Sequence, residues 1–242
     1  RVLRRATHVG YPLSPVQIRL SERFTDLLAI MAKTFDVAVI GAGPGGYTAA
    51  IRAAQLGLNT VCIDDWKNAK GKASLGGTCL NVGCIPSKAL LESSENYERA
   101  LHKFSEHGIA VKEVAIDVAK MIARKDKIVD TFTGGIGLLF RKNKVASMHG
   151  RGYFTGKAGA YQIEVRDGGN AESIEARHVI IATGSSPRQL PFAAVDNDRI
   201  MDNVGALSLP DIPKRLGVIG AGVIGLEMSS VWKRLGSEVT VL

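Results

Sequence analysis

Three scarcities narrow the reading at the outset. The chain has 3 cysteines in 242 residues, too few for the dense disulfide framework of a small secreted domain. Every longer apolar stretch is interrupted by glycine or charge. None reaches the roughly 18 consecutive apolar residues that a membrane-spanning helix requires, and a membrane span is excluded. Aromatic residues make up only 6% of the chain and are not interleaved with the basic ones. The formal net charge of +8 therefore does not build the stacking and phosphate-neutralising surface of a nucleic-acid binder. Arg1, Arg4, Arg5, Arg19 and Arg23, against Glu22 and Asp26, concentrate part of that charge in the first thirty residues.

What is present is ordinary globular material, 45% hydrophobic and 22% charged, enough for one large or two modest domains. Its 27 glycines gather in a few short clusters, which marks tight backbone geometry instead of a flexible tract. The first residue is Arg, and Met31-Ala-Lys directly precedes the first strand pattern. We expect the native start at Met31, with residues 1–30 a basic extension. An Arg-rich mitochondrial transit peptide is the alternative, and Glu22 and Asp26 count against it.

A βαβ pattern follows. Phe35 to Ile40 reads as an apolar strand, Gly41 to Gly46 as a glycine-rich turn, Tyr47 to Leu56 as a small-residue helix stopped by Gly57, and Asn59 to Ile63 as a second strand. A shift of 179 positions superposes Gly41-Ala42-Gly43 on Gly220-Ala221-Gly222, and Gly46, Leu56 and Gly57 on Gly225, Leu235 and Gly236. The chain thus carries one unit twice. Between the copies we expect helix from Ser87 to about Leu139, strands and turns from about Val145 to Val165, and a buried strand from Arg177 to Ala182 ending in Thr183-Gly184-Ser185. The first unit places Asp64 after its second strand, and the second stops one residue before the equivalent position. We therefore expect the chain to be a fragment of a longer protein.

In Gly41-Ala42-Gly43-Pro44-Gly45-Gly46 the first glycine permits the tight turn, the second lets backbone approach a pyrophosphate, and the third lets the helix pack closely on the strand. The helix N-terminus supplies dipole and free N–H groups for the phosphates, and Asp64 can accept hydrogen bonds from ribose hydroxyls. Gly220-Ala221-Gly222-Val223-Ile224-Gly225 repeats the strand and helix context but lacks its ribose-reading residue, so it does not separate NAD from NADP.

The sharpest local signal is the run Gly76 to Lys88, in which Cys79 and Cys84 are separated by four residues at the opening of a helix. Five residues apart on an ideal α-helix, their Cα atoms would lie about 8.6 Å from each other, whereas a disulfide tolerates up to roughly 6.8 Å. The pair can bridge only if regular helix is interrupted, and Gly83 and Pro86 supply the interruption. A helix starting near Cys79 would also favour its thiolate through the helix dipole. A zinc half-site and two unrelated buried thiols are the other readings. Cys62, inside an apolar strand, reads as core.

The run Gly77 to Leu91 (GTCLNVGCIPSKALL), Met31 to Tyr47 (MAKTFDVAVIGAGPGGY) and Gly220 to Glu227 (GAGVIGLE) together resemble the dihydrolipoamide dehydrogenases, the E3 components of 2-oxo acid dehydrogenase complexes. The resemblance extends from about Met31 to Leu242. It implies an α/β protein with two Rossmann-like dinucleotide-binding domains, FAD on the first (31–186) and NAD on the second (187–242, its beginning only), and an interface domain beyond the chain. It implies a redox-active disulfide, with Cys84 facing the flavin and Cys79 exchanging with dihydrolipoamide. It also implies FAD contacts from Asp64, Gly77, Thr78, Lys88, Gly152 and Thr183-Gly184-Ser185, with Lys88 paired to Glu227.

The same resemblance carries the expectation of a homodimer serving lipoyl domains in the bacterial cytoplasm, the mitochondrial matrix being the other compartment considered. Neither nucleic acid, membrane nor metal is expected as a partner. The stretch Asp64 to Leu75 is long and carries Trp66 and several lysines, as in a bacterial subgroup. The family's catalytic His-Glu pair has no match among His8, His102, His107, His149 and His178. Glutathione reductase and mercuric reductase share the cysteine chemistry and are the alternative families, and a non-catalytic nucleotide-binding fragment is the alternative class.

Overall fold

The computed structural model describes residues 33–242. The expectations for residues 1–30 and for a start at Met31 fall outside the described residues. The element order is β1 (Lys33–Ile40), α1 (Pro44–Gln55), β2 (Thr60–Asp64), α2 (Gly77–Val82), α3 (Cys84–His102), a 3₁₀ turn (Phe104–His107), α4 (Val118–Lys142), β3 (Ala146–His149), β4 (Arg151–Ala158), β5 (Ala160–Asp167), β6 (Asn170–Ile181), α5 (Asn203–Ala206), β7 (Arg215–Val218), α6 (Val223–Arg234) and β8 (Glu238–Val241).

Six strands form one sheet in the order β3-β2-β1-β6-β5-β4, and β7 pairs with β8 in a second. The first four strands of the large sheet run parallel, and β5 and β4 complete it antiparallel. Strand β1 is flanked by β2, which follows it through α1, and by β6, which returns from more than a hundred residues later. Its carboxyl end is therefore the point where the chain reverses direction across the sheet, the crevice in which open α/β sheets bind ligands.

Burial explains the assembly. The side chains of Val39, Val61, Cys62 and Ile63 are sealed from solvent, as expected of parallel strands covered on both faces. Ala50 and Ala53, on the buried side of α1, are small enough to let that helix lie close on the sheet. A separate cluster unites Leu90 of α3, Met121 of α4, Leu207 and the α6 residues Met228, Val231 and Trp232, so helices of the first unit and α6 of the second share one core.

Several boundaries differ from expectation. Helix α1 begins at Pro44, not Tyr47, because proline at the first helical position has its φ preset and needs no N–H there. The helical stretch is α3, the 3₁₀ turn and α4, with irregular chain between the last two. Strand β6 starts at Asn170 instead of Arg177 because it pairs with β5 as well as β1. Its end is not buried: Ile180 is 39% and Ile181 66% exposed.

The repeat is visible in the backbone. Helices α1 and α6 are each 12 residues long and begin and end at equivalent positions, and Gly41 and Gly220 both adopt positive φ, +103° and +105°.

Candidate functional site

A cleft of about 460 Å³ opens where the carboxyl ends of β1, β2 and β6 meet α1, α2, α3 and α6, and it is lined by residues of both repeats. Gly41 turns the chain out of β1. A Cβ there would lie 2.1 Å from the Ala182 carbonyl oxygen, and one on Gly46 would lie 1.7 Å from the Gly41 carbonyl oxygen, so both glycines are demanded by close packing of backbone. Gly43 differs. A Cβ on it would meet only Gly77 Cα, at 3.8 Å, and Gly43 lines the cleft. Helix α1 starts there without a side-chain cap or an acidic residue in its first turn. Its first intrahelical bond runs from the Tyr47 N–H to the Gly43 carbonyl, so the backbone N–H groups before it have no partner within the helix, the arrangement that suits an anion.

Asp64 closes β2 beside this loop. Its Oδ2 accepts the Ala42 N–H at 2.6 Å and its Oδ1 the Trp66 N–H at 2.9 Å. Each oxygen keeps further acceptor capacity toward the cleft, where Asp64, Asp65 and Trp66 stand together. On the opposite wall Thr183, Gly184 and Ser185 follow β6, and the Thr78 hydroxyl donates to the Ser185 carbonyl at 3.4 Å. Gly77 sits against Gly43: a Cβ on it would be 2.6 Å from Gly43 Cα. These residues fit a dinucleotide: an uncapped helix start for phosphates, a carboxylate at the strand end, and glycines where backbone must come close.

The cysteines occupy the break between two helices. Helix α2 ends at Val82 and α3 begins at Cys84, with only Gly83 between them. Gly83 is pressed onto the preceding turn, where a Cβ would be 2.9 Å from the Thr78 carbonyl oxygen and 3.1 Å from Cys79 Cα. That fold-back brings Cys84 onto Cys79, and both sulfurs are free thiols facing the cleft. The expectation that a helix dipole would favour the Cys79 thiolate is corrected. The Cys79 thiol is pushed up to about 11, chiefly by burial, with a further rise from the Cys84 thiol beside it. The longer helix starts at Cys84, so Cys84 holds the position at a helix N-terminus. Cys62 is buried, donates to the Gly41 carbonyl at 3.6 Å, and is pushed up to about 12 by burial and then by Asp64.

Lys88, one turn into α3, reaches Glu227 of α6 with Nζ to Oε1 at 2.5 Å, joining the two repeats across the cleft. The Glu227 carboxyl side chain is 19% exposed. Burial works to raise it, but hydrogen bonds from Lys88 and Ser87 outweigh burial and hold it below its ordinary value. The Lys88 ammonium is raised, first by its bond to Glu227.

The remaining expected site residues lie elsewhere. Gly152 is on β4 opposite Val165, with Ile40 and Ile163 its nearest neighbours, and does not line the cleft. Gly46 is buried under the turn. Gly220, Gly222 and Gly225 form the second turn beyond the cleft, to which α6 contributes Val223, Ile224, Glu227 and Met228 instead. Among the described residues no group of His, Cys, Asp or Glu could hold a metal ion, and no helix is long and apolar enough to cross a membrane.

Two residues escaped sequence reasoning. Asn81 donates to the carbonyls of Leu75 and Gly77 and accepts from Ser74, pinning the loop into α2. Asn203 donates to the Val82 carbonyl at 2.7 Å from 121 residues away. Both are long-range or loop contacts with no periodic signal.

Two thiols at a helix break thus stand beside a glycine-rich cradle that fits a dinucleotide. The chain belongs to the pyridine nucleotide-disulphide oxidoreductase family, which matches residues 35–242. Among its relatives, the dihydrolipoyl dehydrogenase of Cupriavidus necator is 60% identical over 215 residues, 88% of this chain and 44% of that protein. The mitochondrial dihydrolipoyl dehydrogenase 1 of Arabidopsis thaliana is 53% identical over 207 residues, 86% of this chain and 39% of that one. Among solved structures, LpdA of Mycobacterium tuberculosis superposes with a TM-score of 0.76 at 28% identity, over 87% of this chain and 44% of that one. The chain thus spans less than half the length of these relatives.

Proposed function

We propose that this chain is the flavin- and dithiol-bearing part of a dihydrolipoyl dehydrogenase, oxidising protein-bound dihydrolipoamide and reducing NAD. The supporting observation is that one cleft gathers Gly41 and Gly43 of the first turn, Asp64, the Cys79–Cys84 pair and the Lys88–Glu227 bridge. FAD, when bound, would take up an electron pair from the dithiol and pass it to NAD as hydride. The start of α1 at Gly43 would hold its pyrophosphate and Asp64 its ribose, with Thr78, Lys88 and Thr183–Ser185 along its length. Residues 31–186 are read as the FAD-binding part and 187–242 as the beginning of the NAD-binding part, with Gly220, Gly222 and Gly225 at the second phosphate turn.

With Cys79 and Cys84 joined as a disulfide, a substrate thiolate attacks the Cys79 sulfur, forming a mixed disulfide and releasing the Cys84 thiolate. The second substrate thiol then displaces Cys79, closing the lipoyl disulfide and leaving the protein with two reduced sulfurs. The Cys84 sulfur is the leaving group, released at the first residue of α3. The Cys79 thiol beside it is raised by burial and by the Cys84 sulfur, so Cys79 keeps its proton. The family carries the further expectation of a homodimer serving lipoyl domains. The bacterial cytoplasm, with the mitochondrial matrix as the other compartment, is carried over from the same resemblance, whose relatives include bacterial and mitochondrial proteins.

The test is spectroscopic. In FAD-reconstituted protein, reduction should develop a long-wavelength absorbance from a thiolate beside the flavin. Cys84→Ser should abolish it and Cys79→Ser should retain it. A band that survives Cys84→Ser refutes the assignment.

A further inference from the structure

The Val82 carbonyl is orphaned by the sequence itself. Were α2 to run on into α3, that oxygen would accept the N–H of the residue four positions later. That residue is Pro86, which has none. The first bond of α3 is made one step further on, from the Ser87 N–H to the Gly83 carbonyl. The missing donor is supplied across the fold by the side-chain amide of Asn203, with Nδ2 2.7 Å from Val82 O.

Asn203 is firmly presented. It opens α5, whose N-cap Asp202 accepts from the Val204 and Gly205 N–H groups. At the other end the Ala206 carbonyl accepts from the fully buried Trp232 indole at 3.2 Å. The Leu207 carbonyl accepts from the buried Lys125 ammonium at 3.1 Å, which also meets Asp126 at 2.8 Å. The segment is thereby tied to α4 and α6 while its first side chain holds the α2–α3 break.

We propose that Asn203 is a positioning residue for the dithiol. By replacing the N–H that Pro86 lacks, it keeps the backbone folded back at Gly83 so that Cys84 can close onto Cys79 without rearrangement. The inference rests on the redox reading of that pair. A disulfide needs Cα atoms within roughly 6.8 Å, so the oxidised form depends on the fold-back. The reduced form tolerates its relaxation, and loss of the Asn203 bond therefore costs the disulfide more than the dithiol.

The experiment equilibrates the full chain in glutathione redox buffers, traps free thiols by alkylation, and measures the Cys79–Cys84 disulfide fraction by mass spectrometry, with circular dichroism verifying the fold. Asn203→Ala and Asn203→Asp, the latter similar in size with an acceptor replacing the donor, should each lower the disulfide/dithiol equilibrium constant about tenfold, within the range for a part-buried acceptor left unsatisfied. That is a potential about 30 mV more oxidising. Should Asn203→Ala not fold, Asn203→Asp carries the test.

In a Pro86→Ala background, where residue 86 regains an N–H for Val82, the Asn203 effect should shrink, a coupling that general destabilisation would not produce. Variants that match the wild-type equilibrium, or effects that simply add in the Pro86→Ala background, overturn the role of Asn203 alone. A wild-type chain that forms no Cys79–Cys84 disulfide overturns the redox reading and this inference with it.

Discussion

The glycine-rich turn allows fold and ligand binding to be separated by single methyl groups. At Gly46 an added Cβ would stand 1.7 Å from the Gly41 carbonyl oxygen, roughly half of an ordinary carbon–oxygen contact. Neither partner can yield by side-chain rotation, because the obstacle is backbone at the end of the central strand. Overpacking in a rigid site costs typically 1–3 kcal/mol and occasionally more. With a clash this deep, Gly46→Ala should lose about 3 kcal/mol, read as a lower urea midpoint at unchanged slope.

Gly43→Ala is the complement. Gly43 has φ −71° and ψ −176°, which any residue adopts, and its nearest would-be neighbour is 3.8 Å away. Stability should change by less than about 1 kcal/mol, the scale of an N-cap exchange. The methyl nevertheless projects where a phosphate must meet the start of α1, and FAD affinity, followed by flavin fluorescence, should fall at least about tenfold, or about 1.4 kcal/mol. A Gly46→Ala chain that melts with wild type, or a Gly43→Ala chain that binds FAD undiminished, would refute the division of labour argued for these glycines.

Two further outcomes can be measured on the same protein. Gly134 lies inside α4 without positive φ, and a Cβ there would meet nothing within 4 Å, so Gly134→Ala should raise stability by about 0.4–1 kcal/mol in urea melts. The Cys79 thiol, raised to about 11, should alkylate in the reduced protein at pH 8 more than about tenfold slower than an ordinary thiol. Because the folded state holds that proton above the unfolded value of about 8.5, its stabilisation is complete below that pH and fades as pH climbs toward 11. Cys79→Ser should flatten this part of the stability profile, and an unchanged slope would contradict the shift.

The parts of the site legible in sequence were those encoded locally. Gly41 declares its turn because only glycine meets both its positive φ and the backbone contact found there, Gly46 because a Cβ would strike backbone, and Gly43 through its spacing between them, and Asp64 follows at the strand end. The need for a break between Cys79 and Cys84 follows from helix geometry alone. Which cysteine stands at the start of the longer helix did not, because placing the break at Gly83 required knowing that α2 closes at Val82. The full length of β6 was hidden because its first half is stabilised by pairing with β5, a tertiary partner with no trace in local periodicity. Asn203 was hidden for the same reason: its donor role is defined by an acceptor 121 residues away.

The two repeats also divide what a turn owes to its own sequence from what its surroundings impose. The crowding at the third glycine recurs in both copies, at 1.7 Å for Gly46 and 2.2 Å for Gly225, each against the carbonyl oxygen of its own first glycine. It is intrinsic to the strand-turn-helix. Crowding at the first glycine is not: a Cβ on Gly41 would strike Ala182, whereas one on Gly220 meets nothing. Strand β6 lies alongside β1, and among the described residues β7 pairs only with β8. Yet both first glycines share nearly the same φ. The backbone of the motif is therefore the same with and without a paired strand beside it, and at the first turn β6 adds Thr183–Ser185, walling the glycine turn into a cleft that reaches the thiols.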